Sequence, residues 1–151
     1  RQMCIRDRLT ADAVPVLLGD DEAGVIAALH GSLFGIRAGL IANTVDAMQQ
    51  LDADPHRMHA LLGPSATGRN MRVSEAVAAD MENRVPHTRS KTPQGQPSVD
   101  LRRGIAYQLV QAGLAGVTID PRCTIEDPAF FSTYREGKTG CQAGVIWRSN
   151  D

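Results

Sequence analysis

Four histidines and three cysteines hold most of the metal-binding and nucleophilic capacity of this 151-residue chain. His30 is the most informative. It closes the apolar run Gly24-Val25-Ile26-Ala27-Ala28-Leu29 and is followed by Gly31-Ser32 and a helix start at Gly35. A strand end that feeds a helix places an imidazole beside free N–H groups that could meet an anion. Such an imidazole suits zinc binding or proton transfer, and it equally suits a histidine bonded to its local backbone. His56 and His59 are spaced to share a helical face. They flank Arg57 in a polar stretch after Asp54-Pro55, where a solvated pair is a plainer reading than a metal pair.

The loop Gly63-Pro64-Ser65-Ala66-Thr67-Gly68-Arg69-Asn70 could wrap backbone N–H groups around a phosphate. It lacks the Lys-Ser/Thr ending of a P-loop, and an ordinary connecting turn accounts for it equally well. Cys123-Thr124 precedes Glu126-Asp127, and a thiolate there needs a cation such as Arg122 or Arg135. A buried, inert cysteine is the alternative. Cys141, between Gly140 and Gln142, belongs to no motif. The cysteines show no CxxC spacing, which disfavours a disulfide scaffold or a zinc ribbon. No HExxH sequence and no nucleophile elbow is present.

These groups must be positioned by short alternating elements. Val14-Pro15-Val16-Leu17-Leu18 reads as a strand with proline near its start. Gly19-Asp20-Asp21 is turn chemistry, and the run ending at His30 is a second strand. Ile36, Leu40, Val45, Met48 and Leu51 fall on one face of a single helix that Asp54-Pro55 stops. Met58 to Leu62 is a third short apolar run. Ser74 caps a helix through Met81 that ends before Pro86, and His87 to Pro97 reads as a mobile surface loop. Ser98 or Asp100 caps a helix with Leu101, Ile105, Leu109 and Ala112 inward and Gly113 as its stop. Val117 to Ile119, Phe130-Phe131 and Ala143 to Trp147 supply the last apolar strands. No repeat or linker divides the chain, so a single mixed α/β unit is expected.

The first eight residues, Arg1-Gln2-Met3-Cys4-Ile5-Arg6-Asp7-Arg8, match neither period and resemble a translated adapter. They read as a non-native leader to be set apart from a domain over 9–151, with a native charged N-terminal arm as the alternative.

Composition excludes several partners. Sixteen basic and seventeen acidic residues leave a net charge of −1, without the positive excess of a nucleic-acid or anionic-membrane binder. No apolar run approaches the roughly 20 residues that span a bilayer. No signal-peptide centre precedes Leu9, so the cytoplasm is the expected compartment. Six aromatic residues are too few for a stacking surface.

In order along the chain stand Thr10 to Leu18, Ala27-Ala28-Leu29-His30, Gly63-Pro64-Ser65, Ser98-Val99-Asp100-Leu101, Cys123-Thr124, Phe131-Ser132 and Gln142 to Trp147. This ordered set resembles the laccase-domain family, once called multicopper polyphenol oxidases. Its bacterial members are described as purine nucleoside phosphorylases with adenosine deaminase activity. The resemblance implies a single α+β domain with mixed sheets flanked by helices, of which this chain is the larger C-terminal part. It also implies purine nucleoside and phosphate as substrates and a zinc ion held by His, Cys and His. His30 matches the second histidine, the first lies in a segment absent here, and Ser65 and Arg135 are the matching candidates for substrate contact.

Some family positions differ. Ala13 stands where the family has its ligand Cys, and a methyl group cannot bind metal. Leu33 and Phe34 replace a Trp and an Arg, Tyr134 replaces one of an Arg pair, and Cys141 replaces a later Arg. Arginines hold phosphate bidentately, so their loss removes charge that phosphorolysis would use. The expectation is therefore an impaired zinc-dependent phosphorylase and deaminase, or a catalytically degenerate paralogue that serves as a binding or interaction domain. A copper phenol oxidase finds no His-rich constellation to support it.

Overall fold

The structure, a computed structural model, describes residues 4–149, without the side chain of Cys4. The apolar runs on either side of the Asp21–Gly24 turn form β2 (Val14–Asp20) and β3 (Val25–Gly31), paired antiparallel with Pro15 opposite His30. Val14, Val16, Leu18 and Asp20 alternate inward on β2 and are at most 1% exposed, the period-two signature of a strand with one buried face. The strand therefore runs through Gly19-Asp20, and the turn begins two residues later than the sequence suggests.

β4 (His59–Leu62) joins β2 antiparallel on its other side, and β7 (Gly116–Ile119) pairs with β4 in parallel. The four-stranded sheet is ordered β3-β2-β4-β7 and is therefore mixed. A parallel pair requires a long crossover. Here the crossover carries α3 (Glu75–Arg84), the hairpin β5 (Arg89–Lys91) and β6 (Pro97–Val99), and α4 (Leu101–Gln111). Ser74 caps α3 by accepting from Val77 N at 3.2 Å, and Asp100 caps α4 by accepting from Arg103 N at 3.2 Å. The stretch from His87 to Pro97, read as a loop, contains β5 and part of that hairpin. Its polar side chains give no apolar alternation, and backbone pairing alone makes the strands.

After β3 the chain forms two helices rather than one, α1 (Leu33–Arg37) and α2 (Leu40–Gln50). Gly39 separates them in the left-handed region at φ 94°, a conformation that glycine adopts freely. The rotation lost at this break puts Ile36, Ile41, Val45 and Met48 in the core and leaves Leu51 exposed. The helices cover one face of the sheet, where Val14, Val16, Leu18, Leu62, Ile105 and Leu109 form the dry centre. Each such side chain contributes about 1.5–3 kcal/mol by leaving water.

Residues 4–8 do not lie outside the fold. They belong to β1 (Cys4–Thr10), which pairs antiparallel with β8 (Gln142–Arg148). Ile5 to Leu9 are all exposed, so no hydrophobic alternation marks this strand. The pairing uses backbone groups and is indifferent to the side chains the segment carries. Phe130-Phe131 form no strand. They precede the short helix α5 (Thr133–Glu136), capped by Ser132, whose Oγ accepts from Arg135 N at 3.2 Å. The fold is α+β with mixed sheets, as the sequence implies. Among the described residues no helix is long and apolar enough to cross a membrane.

Candidate functional site

His30 lies near the end of β3 and its ring is exposed. Its Nδ1 lies 3.2 Å from the Leu9 carbonyl, which can only accept. Nδ1 is therefore the donor, and in the neutral ring Nε2 is the acceptor. Ligating and proton-accepting histidines are held in this way. The anion role expected from the following helix is not open. α1 has five residues, and the Ser32 hydroxyl accepts from Gly35 N at 3.1 Å.

The ring faces a pocket of about 400 Å³, within the range of small-molecule sites. Ala13, His30, Leu33, Phe34, Tyr134 and Cys141 are among its lining residues, and no Lys or Arg is among those described. Phe34 is 81% exposed and Tyr134 58% exposed, so both rings offer free faces. A larger groove of about 760 Å³ runs between β8 and the open face of the sheet. That groove is lined by apolar residues such as Leu17, Ile26 and Trp147 together with Asp20, Asp21, His59 and Arg148, and its lining includes neither His30 nor positions 13, 34 and 134.

A residue overlooked in the sequence organises the pocket wall. Asp12 is 7% exposed and its carboxylate accepts four hydrogen bonds. Thr124 Oγ1 and Ser132 Oγ donate to Oδ1 at 2.8 Å each; Thr133 Oγ1 and Tyr134 N donate to Oδ2 at 2.9 and 3.1 Å. Its own carbonyl accepts from Ala66 N at 2.9 Å. A buried carboxylate is tolerated only when its lone pairs are met in this way. The β1–β2 turn is thereby fastened to the segment that carries Tyr134. Asp12 sits beside Ala13 in a stretch singled out above, but donors so far along the chain leave no local trace.

Several candidates lie elsewhere. Arg135 donates to the carbonyls of Thr124, Ile125, Asp127 and Phe130 and to Glu136, so its guanidinium ties together the C-terminal segment and does not line the pocket. Ser65 is fully buried, bridges to Cys123 through the backbone, and is absent from the lining; its Oγ has no partner among the described residues. The glycine-rich loop directs the N–H groups of Gly63, Ala66 and Asn70 to carbonyls rather than outward. His56 sits in a 3-10 turn (Pro55–Arg57) and His59 starts β4, so they share no helical face.

Cys123 is buried. Burial pushes its thiol up, but the Thr67 hydroxyl and the N–H groups of Glu126, Thr67 and Ile125 outweigh this and hold it below its ordinary value. The expected cations are engaged otherwise. Arg122 pairs with Asp120 at 2.7 Å, and Arg135 with the carbonyls above.

The family model described as multi-copper polyphenol oxidoreductase laccase matches residues 3–149. The chain belongs to this family. It is 48% identical over 139 residues to a purine nucleoside phosphorylase of Corynebacterium glutamicum, covering 92% of this chain and 56% of that protein. A purine nucleoside phosphorylase of Mycobacterium tuberculosis is 42% identical over the same shares. The chain thus spans about half the length of these relatives. Among solved structures, a Neisseria meningitidis protein superimposes with a TM-score of 0.86 at 29% identity, over 97% of this chain and 61% of that one. YlmD of Geobacillus stearothermophilus gives 0.86 at 25% identity, over 95% and 57%.

The zinc implied by the resemblance is not matched by this chain's donors. A catalytic zinc usually has three protein ligands. Here Ala13 presents a methyl group, and among the described residues no cluster of three His, Cys, Asp or Glu side chains could hold an ion. Of the positions that the resemblance assigns to the zinc, His30 alone carries a metal-binding side chain among the described residues.

Proposed function

We propose that the protein is a purine nucleoside phosphorylase-type enzyme in which this chain supplies the nucleoside pocket beside His30. We further propose that phosphorolysis and adenosine deamination are both impaired in it. One observation carries this reading: the pocket that holds His30 is walled by the aromatic rings of Phe34 and Tyr134 and by no described cation. The two rings suit the faces of a planar base. The His30 Nε2 lone pair suits a donor on the base or the ribose.

In phosphorolysis a phosphate oxygen bonds to the sugar C1′ as the C1′–N bond to the base breaks, and the base takes up a proton. Bringing a phosphate anion to C1′ calls for positive partners, which the Arg replacements at 34, 134 and 141 remove. Deamination calls for an activated water, which a metal-bound site supplies. With Ala13 in the ligand position, the chain's own residues support binding of the nucleoside better than its turnover. A binding or interaction domain without turnover is the second reading, and Ala13 is the observation that favours it.

The test uses the purified full-length gene product with inosine or adenosine and phosphate, reading base and ammonia release. Turnover near background is expected, rising when Ala13→Cys and Phe34→Arg are combined. Rapid release by the unaltered protein, indifferent to both substitutions, would sink the impaired reading.

A further inference from the structure

Phe34 and Tyr134 stand exposed at the pocket beside His30, whereas Thr10, Asp12, Met71 and Leu101 of its lining are at most 7% exposed. The two rings therefore form its mouth and the buried residues its floor. Polar groups around that floor are mostly committed. Asp12 accepts four hydrogen bonds, one of them from Thr133 Oγ1, and the Ser32 hydroxyl is turned to Gly35 N. Thr10 is the exception. It ends β1 next to Leu9, whose carbonyl holds His30 Nδ1 at 3.2 Å, and its buried hydroxyl has no partner among the described residues. Leaving a buried hydroxyl unpaired is unfavourable. A site built to bond a substrate hydroxyl leaves its own polar group unpaired whenever that hydroxyl is missing.

We propose that Thr10 is a specificity-determining residue of this pocket, its hydroxyl pairing with a ribose hydroxyl of the bound nucleoside. The inference rests on the nucleoside reading above. A base held against the Phe34 and Tyr134 rings occupies the mouth and leaves the sugar to the floor, and the sugar is the part that carries hydroxyls. A hydroxyl both donates and accepts, so threonine meets a ribose hydroxyl in either sense. The Thr10 Oγ1 is closed off from solvent although the residue borders the cavity. Pairing therefore includes a turn about its Cα–Cβ bond to another staggered position.

Calorimetry on the full-length protein, without phosphate, compares inosine with 2′-deoxyinosine and 3′-deoxyinosine. One of the two deoxynucleosides should bind about fivefold more weakly than inosine, the fold-change of a typical net hydrogen bond. In Thr10→Val, inosine should weaken by the same factor, and the difference between inosine and that deoxynucleoside should vanish. Because Thr10 Oγ1 has no partner to lose among the described residues, Thr10→Val should keep the wild-type Tm, which separates lost affinity from lost folding. The comparison of ligands needs no variant. Equal binding of the three nucleosides by the unaltered protein overturns the inference, as does a Thr10→Val protein that still tells them apart. Either result leaves the nucleoside reading standing. Absence of inosine binding overturns that reading, and this inference with it.

Discussion

Replacing Asp12 with alanine should detach the Tyr134 wall of the pocket from the sheet. The carboxylate accepts from Thr124, Ser132, Thr133 and the Tyr134 N–H in a site only 7% exposed. Hydrogen bonds to a charged group contribute about 1.5–3 kcal/mol each. Three of the donors are hydroxyls that can turn toward other acceptors, whereas the Tyr134 N–H cannot, so the four bonds do not simply add. A loss of about 3–5 kcal/mol is expected, at the upper end of what point substitutions cost when they break a buried hydrogen-bond network. At about 2–4 °C per kcal/mol for a chain of this size, Tm should fall by roughly 6–20 °C.

Asp12→Asn separates charge from shape. Its oxygen can keep the Thr124 and Ser132 bonds, while its amide faces the Tyr134 N–H with the wrong polarity, for a cost of about 1–2 kcal/mol. Urea unfolding followed by circular dichroism measures both variants, and hydrogen exchange at Tyr134 N–H reports whether the wall opens locally. A change of less than about 0.5 kcal/mol in Asp12→Ala, the level of ordinary surface substitutions, would refute the reasoning. So would an asparagine variant as unstable as the alanine one.

Two further outcomes follow from the same geometry. The N–H groups of Asp54 and Ala23 and the Arg57 guanidinium hold the Asp20 carboxyl at about 2, against an ordinary 3.8 and against the opposing effect of burial. Its stabilising effect is therefore complete above about 3.8 and lost as pH falls toward 2. Asp20→Asn should flatten the acid limb of a stability–pH curve in that window, and an unchanged limb would contradict the assignment. Gly31→Ala would bring a Cβ to 2.7 Å from the Val14 carbonyl oxygen, a backbone atom that cannot move aside. A loss of about 1–3 kcal/mol in urea unfolding is expected; wild-type stability would show that the β2–β3 pairing near His30 is looser than described.

The legible parts of this fold were those whose cause is local. β2 and β3 announce themselves by apolar runs on either side of a turn, and α3 and α4 by Ser74 and Asp100 ahead of helical periods. The break at Gly39 was hidden because Ile36 and Leu40 keep nearly helical spacing across it. β5 and residues 4–8 of β1 were hidden because backbone pairing, not side-chain patterning, makes them strands. His30, Ala13, Phe34 and Tyr134, which the resemblance picks out by order along the chain, share one pocket. Arg135 and Ser65 lie outside that pocket, and sequence order carries no information on where a guanidinium or a hydroxyl points. The Asp12 cluster was invisible for a related reason: its donors lie 112 to 122 residues away.

The central claim is that a purine nucleoside occupies the pocket between His30, Phe34 and Tyr134, and equilibrium binding of inosine without phosphate tests it most directly. Calorimetry on the full-length protein should give a saturable affinity that weakens about tenfold in Phe34→Ala, since stacking a base on an aromatic ring contributes about 1–3 kcal/mol. Absence of inosine binding, or an affinity that Phe34→Ala leaves unchanged, would contradict the account.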